Sequence, residues 1–194
     1  MFPAAALGAV GVTALAFALG TGPRNTLRMT GPDGHEYEMQ NLPGKEKAVV
    51  LMSAVRESLV KICDNYKTTP GLSQDPPVAR FIARFTPDVF VENDMGSRDT
   101  SYSENKGQKI VVCLRDKTQP PAYPLIEKNT VMFVMLHEMA HLMTETIGHT
   151  PEFWGNFKRI LDDAVKMGLY TPVNYSQRPV RYCGMMITDS PIAS

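Results

Sequence analysis

Between residues 45 and 66 the apolar positions recur at helical spacing. Ala48, Leu51, Met52, Val55, Leu59, Ile62, Cys63 and Tyr66 share one face, while Glu46, Ser53, Arg56, Glu57, Lys61 and Asp64 occupy the others. That period predicts an amphipathic helix with one side in a core. Upstream, Leu27–Thr30 and His35–Met39 flank Gly-Pro-Asp-Gly, the pattern of a hairpin, with His35 a surface histidine. Downstream, the Pro- and Gly-rich stretch Thr68–Ser73 breaks the chain. Asp75 then caps a short helix begun by Pro76, with Val78, Phe81, Ile82 and Phe85 inward. Residues 86–99 carry no period and read as irregular. Thr100–Glu104 and Lys109–Leu114 flank Asn-Lys-Gly and form a second hairpin, whose later strand is β-branched and apolar enough to be buried.

Val131–Leu136 is an unbroken apolar run that reads as a buried helix, with Asn129 or Thr130 as its cap. Thr150-Pro-Glu152 opens a last helix. Phe153, Phe157, Ile160, Leu161, Ala164 and Val165 form its inner face, and Gly168 ends it in a left-handed turn. The tail carries Tyr175, Arg178, Arg181 and Tyr182 before the apolar Met185–Ile187.

The first residues follow a different pattern. Pro3 to Gly20 holds no charge and just reaches the length of a membrane-spanning helix. No Lys or Arg precedes it, and Arg24 and Arg28 follow it. These flanks predict an uncleaved single-pass anchor over residues 1–22, a linker over 23–30, and a domain over 31–194 on the cytosolic side. Secretion after cleavage near Ala16-Phe-Ala18 is the alternative. The 194 residues carry 20 basic and 20 acidic side chains, so there is no basic excess to predict a nucleic-acid partner. Cys63, Cys113 and Cys183 are odd in number, far apart and without a Cys-x-x-Cys, which predicts buried free thiols in a reducing compartment.

The candidate chemistry lies directly after the apolar run, in His137-Glu-Met-Ala-His141. Histidines at i and i+4 project from one face of a helix, at the spacing that holds one Zn²⁺. Glu138 then sits beside the metal, placed to act on a bound water. His149 is the expected third ligand, brought back by a bend at Gly148; Glu145, four residues after His141, is the competitor. Three imidazoles leave a fourth zinc position for water, whose pKa falls to about 7. Glu138 can take its proton during attack on a carbonyl and deliver it to the leaving amine. Tyr182 or Tyr175 could donate to the oxyanion, although packing is the usual role of such residues.

The chain resembles the WLM and SprT-like zinc metallopeptidases and the related YgjP-like hydrolases. The resemblance rests on the hairpin Ser103–Arg115, on Val134-Met-Leu-His-Glu-Met-Ala-His-Leu142, and on His149-Thr-Pro-Glu-Phe-Trp154. It covers most of residues 27–170 and is strongest over 103–154. It implies a small α+β, minigluzincin-like domain whose sheet edge binds an extended polypeptide beside the metal helix. It also implies zinc on His137, His141 and His149, with Glu138 as base and Phe153 and Trp154 packed behind His149. The spacing from His141 to His149 is longer than in many WLM members, and the DNA-binding tails of the family's crosslink-repair proteases are absent. The sequence thus reads as a membrane-anchored zinc metallopeptidase. Two other readings stay open: a structural or inactive zinc-binding membrane protein, and a hydrolase of a small phosphorylated substrate.

Overall fold

The computed structural model describes residues 25–104 and 107–192. The apolar stretch expected to anchor the chain, residues 1–22, lies outside them. Among the described residues no helix is long and apolar enough to cross a membrane. The expected single-pass membrane localisation is corrected accordingly.

The first hairpin forms as its turn signal predicts. Strands β1 (Thr26–Thr30) and β2 (Glu36–Gln40) pair antiparallel, from Thr26 opposite Gln40 to Thr30 opposite Glu36. Helix α1 (Lys45–Thr68) follows and buries the predicted face, with Met52, Val55, Leu59, Ile62 and Tyr66 fully enclosed. Helix α2 (Pro76–Arg84) begins at the expected proline. Asp75 does not cap it through its side chain, because that carboxylate accepts from Arg159 at 2.7 Å instead.

Strand β3 (Phe90–Glu92) lies in the segment that reads as irregular. Three residues are too few to show an alternation. It nevertheless runs through the middle of the sheet, parallel to β2 on one side and to β5 (Lys109–Val112) on the other. Strand β4 (Tyr102–Glu104) pairs antiparallel with β5 and forms the far edge, giving the order β1-β2-β3-β5-β4. Helix α3 (Lys128–Met143) is preceded by Glu127, with neither expected cap in use: Asn129 bonds the backbone of Thr171, and Thr130 is buried. Helix α4 (Pro151–Lys166) starts as predicted, the Thr150 hydroxyl accepting from the Phe153 N–H. It ends at Gly168 with φ +67°, where the N–H groups of Gly168 and Leu169 donate to Val165 and Ala164. A separate hairpin, β6 (Val180–Tyr182) and β7 (Met185–Ile187), closes the chain. Helices packed together against a mixed sheet make an α+β domain, as expected.

A buried ion pair joins three parts of the sheet. Arg115 Nε donates to Glu92 at 2.7 Å, with both side chains almost wholly enclosed. Arg115 also donates to the carbonyls of Pro43 and Tyr123, and the Gln40 N–H donates to Glu92. Burial raises the Glu92 carboxyl above its usual range, and these donors pull the other way without cancelling the rise. The pair couples β2, β3 and the segment after β5 to the turn that leads into α1.

The cysteines overturn the expectation of three free thiols. Cys113 and Cys183, 70 residues apart, form a disulfide, and only Cys63 remains free and buried. No local spacing could announce the bond, since the tail hairpin must fold back on the sheet to make it. Closing a loop of that length restricts the unfolded chain by about 4 kcal/mol in the chain-entropy picture.

Removing one partner of the buried pair strands the other charge. Arg115→Ala is expected to cost about 3–5 kcal/mol, read as a lower urea midpoint at unchanged slope. A second expectation concerns acid. Burial pushes the Asp33 carboxyl up, but donors from Tyr37, His35 and Ser53 with the Arg56 guanidinium outweigh it, and its pKa is lowered. Its contribution is therefore present above the unfolded value and lost as pH falls through the folded one. Asp33→Asn should reduce stability at pH 7, and the difference from wild type should narrow below about pH 4. Equal losses at both pH values would show that the charge is not what matters.

Candidate metal centre

His137 and His141 lie on successive turns near the end of α3, and their rings meet at 4.9 Å between centroids. The helix stops at Met143. Gly148, with φ +86°, then turns the chain in a conformation that side chains rarely adopt. That turn delivers His149 back over α3. The ligand nitrogens of His137, His141 and His149 all lie within 4.8 Å of one another. His149 Nε2 stands 3.1 Å from His137 Nε2. Phe153, one turn into α4, lies against all three rings, at 4.8, 4.3 and 4.7 Å. Trp154 packs against His149 at 5.9 Å and remains partly exposed.

The loop that carries His149 is braced by residues that the sequence did not single out. Arg80 Nε donates to the Met143 carbonyl at 2.7 Å, and Arg84 donates to those of Leu142 and Thr144 at 3.0 Å. These are carbonyls a helix end leaves without intrahelical partners. Glu152 takes the N–H groups of Glu145 and Thr146 and an ion pair from Arg80 at 3.0 Å. An acid in the first turn of a helix reads as a response to the helix dipole. Here it also pins the preceding loop. Asn156 completes the brace by donating to the Thr144 hydroxyl. Nothing local in Arg80 or Arg84 signals this role, because each looks like a charged face of α2.

The electrostatics suit a cation. Burial lowers the His137 imidazole well below its ordinary value, and the positive charges of His141 and His149 would lower it further. Burial and His149 bring His141 down to about 4, and burial also lowers His149. All three are therefore neutral near pH 7, the form that binds a metal through a lone pair. Two ring nitrogens facing each other at 3.1 Å, with no carboxylate between them, are a donor set fitted to a shared cation. Glu145, the competing ligand, lies apart. Its carboxylate is exposed and meets Arg80 at 3.6 Å. His35 bonds the Asp88 carbonyl and is not part of the cluster.

Glu138 sits beside His137 on α3. Burial pushes its carboxyl up to about 8, and a hydrogen bond from the Ser103 N–H of β4 acts in the opposite direction. The two tail tyrosines are both buried. Tyr175 packs on Phe133 at 4.7 Å, and the Tyr182 hydroxyl is taken by the Ser101 hydroxyl. Arg178 and Arg181 are exposed.

No protein-family model matches the chain. A mimivirus protein of unknown role, "Uncharacterized protein R325" of Acanthamoeba polyphaga mimivirus, is 28% identical over 156 residues, which is 79% of this chain and 77% of that protein. "Uncharacterized protein 136R" of Invertebrate iridescent virus 6 is 37% identical over 82 residues, 42% of this chain and 45% of its own length. "Uncharacterized protein 042R" of Invertebrate iridescent virus 3 is 44% identical over 73 residues, 37% of this chain and 43% of that protein. This chain thus spans less than half of either iridescent-virus protein. Among solved structures, Wss1 from Saccharomyces cerevisiae aligns with 69% of this chain and 94% of that chain, at 19% identity and a TM-score of 0.48.

The cluster makes a direct prediction about metal. The protein should take up one Zn²⁺ or Co²⁺, and each of His137→Ala, His141→Ala and His149→Ala should weaken binding, measured by competition with a chromophoric chelator. Glu145→Ala should bind as wild type does. Zinc at a hundredfold over its dissociation constant should add about 2.7 kcal/mol of stability. If Glu145→Ala lost the metal and His149→Ala kept it, the third ligand would be misassigned.

Proposed function

We propose that this protein is a zinc metallopeptidase, with His137, His141 and His149 holding the metal and Glu138 as the general base. The observation that supports this reading is the convergence of three neutral imidazoles, two of them on the helix that carries the partly buried Glu138 carboxyl. Zinc held by three imidazoles supplies Lewis acidity toward a carbonyl and acidifies a water to a pKa of about 7.

The remaining work falls to the chain itself. Glu138 takes a proton from the attacking water and returns it to the amine nitrogen of the leaving segment. To do so it must be ionised. Burial opposes this, while the Ser103 N–H favours it, as would a cation held by the histidines. The Phe153 ring against the three imidazoles limits their rotation, so their lone pairs stay aimed at one point. Strand β4 is the edge of the sheet and carries Ser103 at the base. An extended polypeptide lying along that edge would present a backbone carbonyl to the site. Ile147 and Trp154, exposed apolar residues flanking His149 in sequence, offer a surface to the side chains of an unfolded substrate.

The test is hydrolysis of a panel of unfolded proteins by the zinc-loaded full chain, beside Glu138→Gln. The wild type should cleave, and the variant should lose about 10²–10⁴-fold in kcat while keeping its zinc. Silence from both with zinc bound would replace the peptidase by a structural zinc protein.

A further inference from the structure

The turn between β6 and β7 is made by Cys183 and Gly184, with φ of +51° and +89°. Two successive left-handed residues give a hairpin turn whose twist matches its strands, and such turns favour Gly, Asn and Asp. A cysteine at the first position is strained, and a local rule broken in this way points to a constraint imposed from elsewhere. That constraint is visible: Cys183 is bonded to Cys113, the residue after β5. The hairpin is thereby fixed to the end of a central strand.

The adjoining residues lead from this bond to Glu138. Tyr182, fully buried beside Cys183, meets the Ser101 hydroxyl, and that same oxygen accepts the Cys113 N–H at 2.8 Å. Asn93, also buried, donates to the carbonyls of Asp99 and Thr100 and holds the same segment from the sheet side. Two residues after Ser101, the Ser103 N–H bonds the Glu138 carboxylate. Both the disulfide and the Tyr182 hydroxyl thus act on the start of β4, an edge strand of three residues with β5 as its one neighbour in the sheet.

We propose that the β6–β7 hairpin is a positioning device for Glu138. The Cys113–Cys183 bond and the Tyr182 hydroxyl hold Ser101 so that the Ser103 N–H orients the carboxylate. Tyr182, Cys113, Cys183 and Ser101 are positioning residues, since none of them belongs to the histidine cluster. The histidines are held by α3, which β6 also touches, and by the loop that Arg80, Arg84 and Glu152 brace. Loss of the hairpin contact should therefore disturb the base and leave the metal in place. The catalytic consequence rests on the assignment of Glu138 as base; the hold on β4 does not.

Tyr182→Phe removes one hydroxyl and keeps the buried ring, and Cys113→Ser/Cys183→Ser removes the bond. Both are made in the zinc-loaded full chain. Hydrogen–deuterium exchange should speed up over residues 99–104 in each variant and stay as in wild type over 128–143. Zinc affinity should be unchanged, and kcat should fall roughly tenfold or more at similar KM, on the scale of outer-shell partners. A role in stability alone would instead lower the melting temperature and zinc retention together and spare kcat per zinc-loaded molecule. Unchanged exchange over 99–104 in Tyr182→Phe would overturn the proposal whether or not the protein cleaves anything. So would faster exchange there with kcat intact. A wild type that hydrolyses no polypeptide would count against the peptidase reading, while the exchange measurement would still decide whether the hairpin holds β4.

Discussion

The end of α3 is the point on which the site depends. Leu142, Met143 and Thr144 carry carbonyls that the helix cannot satisfy within itself, and Arg80 and Arg84 of α2 satisfy them. Because those donors are charged and partly buried, the helix stops at a defined residue instead of fraying. The loop that follows is then short enough, and Glu152 firm enough at its far end, to return His149 to the face of α3 that bears His137 and His141. Two arginines with no place among the candidate ligands thus decide whether two histidines become three.

The same region shows two opposed uses of burial. At the histidines, loss of solvent favours the neutral ring and so prepares a ligand set. At Glu138, one residue away, it favours the protonated acid, which cannot act as a base. A single backbone donor from β4 works against that tendency. The sheet edge and α3 therefore meet at one carboxyl group, and the tail hairpin reaches it through Ser101. Elsewhere the fold encloses charge with extensive compensation, as at Glu92 and Arg115, where carbonyls and an N–H take up much of the remaining capacity and one guanidinium nitrogen stays without a partner.

Much of this was legible in the chain. The α1 stripe, the first hairpin, the Thr150 cap and the Gly168 stop are local patterns, each set by side-chain periodicity or backbone preference within a few residues. The i, i+4 histidines follow from helix geometry alone, and the choice of His149 over Glu145 agrees with where the two side chains lie. What failed was also physical. Asp75, Asn129 and Thr130 are suitable caps, but a long-range partner took Asp75 and Asn129, and the core took Thr130. β3 is too short to carry a period and exists because its neighbours pair with it.

By itself, then, the sequence determined most of the local elements, the α+β class and the i, i+4 histidine pair, since these depend on interactions spanning a few positions. Only the tertiary structure decided that Cys113 meets Cys183, that Arg115 meets Glu92, that α2 closes the end of α3, and that β4 leans on Glu138. Each of those contacts joins residues far apart along the chain. The free energy that selects them comes from burial and from satisfying polar groups in the assembled core, which no single segment contains.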